Sequence, residues 1–210
     1  MTGLRERKKA DTRRALSDAA LHLAFERGLE NVTREDVANM AGVSLRTFNN
    51  YFVGKYEALA YRQAERLRRS VALLRERPAD EPLWTAISHA VLEPLEDDFG
   101  DVYGEENRAP SRQELVEVRK LLMQPQVRSS VPQSLFDDFL HVIAERTGTD
   151  PQRDLYPRLV MAVVRAVGDA AADTYAWADP PVAITTLIRS GFAAVQAGLP
   201  ELARMKGAHG

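Results

Sequence analysis

The sequence predicts an all-α protein with an N-terminal head of three helices, residues 1–55, and a larger helical body, residues 56–210. Apolar residues recur every three or four positions along most of the chain, as they do on the buried face of a helix. Glycine and proline stand where these runs begin and end. No stretch shows the strict alternation of apolar and polar residues that is typical of a strand.

The composition excludes several classes of protein. The 210 residues are 45% hydrophobic, which is enough for a packed core. They include no cysteine, so disulfides and cysteine-based zinc sites are excluded. The N-terminus lacks the apolar stretch of a secretory signal, and no uncharged apolar run reaches about 18 residues. We therefore expect a cytoplasmic protein that does not span a membrane.

The charge is distributed unevenly along the chain. Residues 1–70 carry 14 lysine and arginine residues against nine acidic ones, whereas the remaining residues carry 14 against 21. A basic front and an acidic back indicate that only the front faces a polyanion such as nucleic acid. Uneven solvation of the two parts is the alternative that charge alone leaves open.

The head is predicted to contain a helix-turn-helix. The first helix runs from Thr12 to Arg27 and stops at Gly28. The second begins at Thr33, whose spacing from Asp36 resembles a capping box, and ends near Gly42. A short third helix follows. A brief turn containing glycine between two such helices is the helix-turn-helix pattern, in which the second helix enters the major groove.

The third helix, which Ser44 caps, is predicted to have two faces. Phe48 and Phe52 lie four residues apart and anchor it inward. Arginine bridges guanine and asparagine bridges adenine in the major groove, and Thr47 suits a thymine methyl group. We expect Arg46 first and Asn49 second to contact bases, unless the asparagines meet only phosphate or water. The candidate reading residues are Leu45, Arg46, Thr47, Asn49 and Asn50.

The body is predicted to be helical throughout. A fourth helix of about 20 residues begins at Lys55 and ends before Pro78. An acidic stretch with glycine is predicted to form a loop over residues 97–110. The further predicted helices cover residues 82–95, 111–124, 132–146, 151–178 and 181–199.

The order of these elements resembles the TetR family of transcriptional repressors. The resemblance covers about residues 10–60 and rests on AGVS, Thr47-Phe48, Tyr51-Phe52 and Lys55. It implies a homodimeric repressor that leaves a palindromic operator in double-stranded DNA when a small-molecule effector binds. The remaining 150 residues resemble, in their helical pattern, the branch with mycofactocin-linked regulators. That branch implies a lipid-like or acyl effector.

The resemblance also implies roles for individual residues. Thr33, Tyr51 and Lys55 match backbone-phosphate contacts of the family. Glu35 stands where many members have a base-contacting arginine, so Arg34 is expected to serve instead. Val53-Gly54 replaces the usual Pro-Ser, Tyr56 replaces an acid, and the two asparagines replace aromatic or basic residues. The predicted DNA-binding residues are Thr33, Arg34, Ser44, Leu45, Arg46, Thr47, Asn49, Asn50, Tyr51 and Lys55.

The last two helices are expected to pair two protomers, as the family resemblance implies. Small residues allow close helix approach, and an apolar stripe follows them; filling of the monomer core is the alternative. The predicted interface residues are Ala166, Ala170, Leu187, Ile188, Phe192 and Val195. An apolar effector pocket is expected in the body. Its candidate residues are Trp84, Phe99, Tyr103, Leu122, Phe136, Phe139 and Met161.

Two rival functions remain open at this point. One is a DNA-binding architectural protein that responds to no ligand. The other is a small helical enzyme that uses His89 and Glu93, which lie four residues apart. The sequence contains no third metal ligand near them, no Gly-rich phosphate loop and no G-x-S-x-G nucleophile motif. We therefore predict neither a metal nor a cofactor, and no catalytic residues.

Overall fold

The structure, a computed structural model, describes residues 3–103, 120–121, 124–178 and 182–199. These residues form nine α-helices and one 3₁₀ turn, Leu29–Asn31, and contain no strand. None of the described helices is long and apolar enough to cross a membrane. The helices are α1 (Leu4–Arg27), α2 (Arg34–Met40), α3 (Leu45–Tyr51), α4 (Lys55–Glu76), α5 (Leu83–Tyr103), α6 (Pro125–Ser129), α7 (Gln133–Thr147), α8 (Leu155–Trp177) and α9 (Ile184–Gln196).

Two hydrophobic cores organise these helices. The first unites α1, α2, α3 and the N-terminal half of α4, with Leu16, Val37 and Phe48 fully buried. Residues of α6 and α7 close this core from the body side. The second core joins the C-terminal half of α4 with α5, α7, α8 and α9. The predicted all-α fold is confirmed, and α4 contributes to both cores.

Several helix bounds differ from the sequence prediction. The first helix begins at Leu4 rather than Thr12, because the polar stretch before Thr12 contains no helix breaker and the helix simply continues. α5 continues to Tyr103, into the stretch 97–110 that was predicted to be a loop and whose residues 104–110 lie outside the described residues. Its extension has a tertiary cause, since Asp98 of this segment is held by arginines of α4. The short helix α6 was not predicted, and residues 111–119 of the next predicted helix lie outside the described residues.

The start of α8 also differs from the prediction. Asp150 closes a turn, because its carboxylate accepts hydrogen bonds from the backbone N–H groups of Gln152 and Arg153 at 2.7 and 3.1 Å. The helix therefore begins at Leu155 and not at Pro151. Pro157 then falls in the first turn, where proline is tolerated, and no kink is required.

Three arginines of α4 surround one buried carboxylate at the junction of head and body. The Asp98 side chain, 9% exposed, accepts from Arg69 at 2.8 Å and from Arg66 at 3.2 Å. Arg62 lies 3.9 Å away and also pairs with Asp18 of α1 at 2.8 Å. A buried carboxylate is tolerated only with such partners. The cluster therefore ties α5 and α1 to the same stretch of α4.

The C-terminal end of α4 is held by a cation from α7. The Arg146 guanidinium donates to the backbone carbonyls of Arg77 at 2.9 Å and Pro78 at 2.7 Å. The last carbonyls of a helix have no partner within the helix, and a cation there also opposes the negative end of the helix dipole. Arg146 therefore fixes the chain between α4 and α5.

Replacing Arg146 by methionine should destabilise the protein by about 1–3 kcal/mol, because the carbonyls of Arg77 and Pro78 at the α4 terminus lose a charged donor. The measurement is the urea midpoint of unfolding followed by far-UV circular dichroism. Arg153→Met is the matched control, since the Arg153 side chain is 88% exposed. The control should change stability by less than about 0.5 kcal/mol. Equal midpoints for the two variants would contradict the role given to Arg146.

Candidate nucleic-acid interface

The turn between α2 and α3 has the geometry that its sequence predicts. Gly42 has φ = +67°, in the left-handed region that favours glycine. The Val43 N–H donates to Ala38 O at 2.9 Å and closes the turn. Ser44 then caps α3, because its hydroxyl oxygen accepts from the Thr47 N–H at 3.1 Å. The predicted helix-turn-helix is therefore present in the structure.

α3 is anchored through its apolar face. Phe48 is fully buried and Phe52 is 3% exposed, and their ring centroids lie 5.9 Å apart. Phe52 also meets the Tyr61 ring of α4 edge-on, at 5.8 Å. Because both anchors are buried, the opposite face of α3 must point away from the core. Arg46, Asn49 and Asn50 are exposed on that face.

Two hydrogen bonds orient the polar face of α3. The Ser44 and Thr47 hydroxyls lie 2.9 Å apart, so the Thr47 hydroxyl is engaged within the helix and its methyl group is left for a partner. Arg34 of α2 donates to Asn49 Oδ1 at 3.5 Å. Arg34 therefore lies beside the predicted base-contacting residues. Leu45 and Tyr51, at the two ends of α3, are half-buried.

The capping box predicted at the start of α2 is also present. The Thr33 hydroxyl accepts from the Asp36 N–H at 3.1 Å, and the Asp36 carboxylate accepts from the Thr33 N–H at 3.2 Å and from its hydroxyl at 2.6 Å. These hydrogen bonds from Thr33 stabilise the carboxylate and lower the pKa of Asp36 below its usual value. The Thr33 side chain is thus engaged in capping while the residue remains exposed.

Lys55, a predicted phosphate contact, is held in this structure by backbone carbonyls of the head. Its ammonium group donates to Val32 O at 2.9 Å, to Leu29 O at 3.0 Å and to Glu30 O at 3.4 Å. An ammonium group has three protons. The structure therefore uses Lys55 to hold the turn between α1 and α2. No local pattern in the sequence predicts this contact, which joins residues 23 to 26 positions apart. The predicted phosphate contact of Lys55 stays a prediction.

An open cleft of about 350 Å³ lies between the starts of α2 and α4. Thr33, Arg34 and Glu35 line one side, and Val53, Gly54, Lys55 and Tyr56 line the other. The long helix α4 begins at this cleft, and helix N-termini attract anions. The cleft is therefore suited to a phosphate group beside the exposed face of α3.

The described candidate residues for the effector pocket come together in the second core. Phe139 is 1% exposed and Met161 is 8% exposed, whereas Trp84 and Phe136 are half-buried. Arg165 lies over the Phe136 ring, at 4.1 Å from its centroid. The side chains of Phe99 and Tyr103, and the whole of Leu122, lie outside the described residues.

Two of the predicted dimer residues are corrected by their burial. Phe192 is 1% exposed, with its ring centroid 6.4 Å from that of Trp84, and Ile188 is 8% exposed. Both fill the core of one protomer and are not available to a second. Leu187 and Val195 are half-buried beside them on α9. The apolar stripe of α9 therefore points mainly inward.

A different apolar face is exposed on α8. Ala166 and Ala170, predicted for the interface, are exposed there. Leu159 at 52%, Leu155 at 75% and Trp177 at 65% continue the same helical face. These three were missed by the sequence prediction. Their spacing of four and seven residues from one another and from the alanines was the signal that could have found them.

The enzymatic alternative gains no geometric support. His89 and Glu93 are both exposed on α5. Among the described residues, no group of three or more histidine, cysteine, aspartate or glutamate side chains is arranged to hold a metal ion.

Comparison with known proteins identifies relatives for both parts of the chain. Residues 16–60 match the family described as bacterial regulatory proteins, tetR family, and residues 81–200 match the MftR C-terminal domain. The HTH-type transcriptional regulator TcmR of Streptomyces glaucescens is 34% identical over 170 residues, which cover 79% of this chain and 74% of TcmR.

Solved structures share the fold at low identity. The fatty acid degradation regulator FadR from Bacillus halodurans has a TM-score of 0.59 and 18% identity, covering 90% of this chain and 96% of its own. FadR of Thermus thermophilus, a repressor in complex with lauroyl-CoA, has a TM-score of 0.52 and 20% identity. The match covers 94% of this chain and 99% of that structure's chain. With both parts of the chain matched, the protein belongs to the TetR family and is a DNA-binding transcriptional regulator.

Proposed function

We propose that the protein is a homodimeric repressor that binds a palindromic operator and leaves it when an acyl or lipid-like effector binds. The observation that carries this proposal is the two-sided geometry of α3. Phe48 and Phe52 fix the helix to the head, while Arg46, Asn49 and Asn50 project from it into solvent. A rigid helix with exposed donors and acceptors is what base readout in the major groove requires.

The DNA contacts divide into bases and phosphates. We assign base contacts to Arg46, Thr47 and Asn49, with Arg34 supporting Asn49. Leu45 and Asn50 flank them on α3, and Ser44 acts through its cap. Thr33 and the N-terminus of α4 are assigned to phosphates because they line the open cleft, and Tyr51 because the family resemblance matches it to a phosphate contact. Phosphate contacts set the register of the protein on the duplex, and base contacts give specificity.

We place the dimer interface on the exposed face of α8. An apolar surface of this kind, with large side chains at both ends and alanines between them, supports close packing against an identical helix. Leu155, Leu159 and Trp177 provide the large side chains, and Ala166 and Ala170 the small ones. Two heads held in this way would meet two half-sites of one operator.

We place the effector in the second core, beside Trp84 and Phe136. These two aromatic residues are only half-buried, so an acyl chain reaches Phe139 and Met161 by displacing them. The match to the MftR C-terminal domain and the lauroyl-CoA complex of the Thermus relative support an acyl ligand. The effector lowers operator affinity by its preference for the conformation that binds DNA less well.

Tryptophan fluorescence tests the effector site directly, because the chain has only two tryptophans. In a Trp177→Phe variant, Trp84 is the sole tryptophan. Lauroyl-CoA should change its emission over the same concentration range in which it releases fluorescent operator DNA, first identified by selection from a random pool. Coenzyme A without the acyl chain is the control. Release without any change at Trp84 would place the effector elsewhere.

Arg46→Ala should weaken operator binding by about 1–3 kcal/mol and relax the preference at one base position in each half-site. The lost guanidinium removes a bidentate base contact. The measurement is repeated selection of bound DNA with the variant. Arg75→Ala, at the far end of α4, is the control and should retain the original preference. A uniform loss across all sequences would make Arg46 a phosphate contact.

Lys55→Met should lower stability by about 1–3 kcal/mol, since the carbonyls of Leu29 and Val32 lose a charged donor. The salt dependence of operator binding should keep its slope, because the ammonium group neutralises no phosphate in this arrangement. Thermal unfolding and binding between 50 and 200 mM salt measure the two effects. Unchanged stability together with a slope reduced by about one unit would restore the phosphate role.

Leu159→Glu should yield folded monomers, because it places a charge on the exposed face of α8. Light scattering gives the mass, and circular dichroism confirms the helical content. Leu4→Glu is the matched control, since Leu4 is 73% exposed on a different helix. A dimer that persists in the Leu159 variant would move the interface away from α8.

A further inference from the structure

The N-terminal part of α1 is an exposed helical extension of the head. Residues 3–11 are all exposed, and Leu4 is 73% exposed. The match to the tetR family begins only at residue 16, so this extension lies outside the part that the family shares. It buries almost no apolar surface and therefore adds little to the stability of the head. Its residues remain available to a partner.

The extension carries a basic stripe on one side. Arg5, Lys9 and Arg13 lie four residues apart and therefore on one helix face, spanning about 12 Å along the axis. Like charges at this spacing destabilise an isolated helix. The single acidic neighbour, Glu6, pairs with Lys9 at 3.5 Å, with both side chains about half exposed, so screening by solvent makes this pair weak. A polyanion would relieve the repulsion among the three basic groups.

The stripe begins beside the recognition helix. The Arg13 guanidinium lies over the ring of Tyr51, the last residue of α3, at 5.8 Å from its centroid. Another face of α1, with Ala10, Asp11 and Arg14, turns towards α4, where it lines a small cavity. The side with Arg5 and Lys9 is therefore directed away from α4. It continues outward from Tyr51, at the C-terminal end of α3.

We propose that Arg5, Lys9 and Arg13 form a second DNA-contact element that binds backbone phosphates flanking the half-site under α3. The proposal rests on the DNA-binding function given above. Double-stranded DNA presents a dense row of phosphates, with one negative charge about every 1.7 Å of its axis. A row of three cations on one helix face can meet several of these phosphates at once, which isolated surface cations cannot do. The element reads no bases, and it adds affinity and salt dependence without changing sequence preference.

The test compares an Arg5→Gln, Lys9→Gln double variant with unmodified protein on two DNA lengths. On an operator with ten extra base pairs at each end, the variant should bind at least tenfold more weakly. Its log–log salt slope should fall by about two units for each protomer bound, since each lost phosphate contact removes about 0.9. On an operator trimmed to its outermost selected bases, the two proteins should bind alike.

The control is an Arg75→Gln, Arg153→Gln double variant, which removes the same net charge far from the stripe. It should bind both DNA lengths like the unmodified protein. Thermal unfolding of the Arg5, Lys9 variant should be unchanged, because both residues are exposed. The proposal would be overturned if the Arg5, Lys9 variant lost the same affinity on both DNA lengths, if the control variant lost as much affinity, or if neither variant lost any. Arg46→Ala tests the operator function separately, so the two failures are distinguishable.

Discussion

The long helix α4 is buried in both hydrophobic cores, to which α7 also contributes, and the arrangement of the protein depends on that burial. Ala58 and Leu59 pack in the head, whereas Val71 and Leu74 pack in the body. A helix of 22 residues is a rod of about 33 Å, so its two ends cannot turn independently. Any change of packing that moves α4 around Leu74 therefore also rotates or shifts the head. The proposed release of operator DNA needs this mechanical link.

The buried carboxylate of Asp98 determines how tightly α5 is held to α4. Arg62, Arg66 and Arg69 all point to it from α4, and Arg62 also reaches Asp18 of α1. A buried charge that loses its partners is costly, so α5 cannot move away from α4 without a replacement for these ion pairs. Trp84, beside which we proposed the effector site, lies on the same helix as Asp98. A ligand at one end of α5 thus acts on a helix whose other end is bound to the element that carries the head.

Local signals made the head predictable from sequence, and long-range contacts limited the prediction for the body. Gly42, Thr33 and Phe48 act through neighbours within a few residues, so their spacing is sufficient to place the turn, the cap and the anchor. Lys55 and Asp98 are held by partners more than 20 residues away, which no local pattern reveals. Phe192 was assigned to the wrong surface, because an apolar helix face predicts that the face is buried but does not say whether the same protomer or a second one buries it. Direct contacts with DNA and effector stay predictions.

The exposure of the reading face has an evolutionary consequence. Arg46, Asn49 and Asn50 are exposed, whereas Phe48 and Phe52, which alternate with them, are buried. Substitutions at the exposed positions leave the core untouched, and such surface changes usually alter stability by less than about 0.5 kcal/mol. A gene duplicate could therefore acquire a new operator through a series of well-folded intermediates.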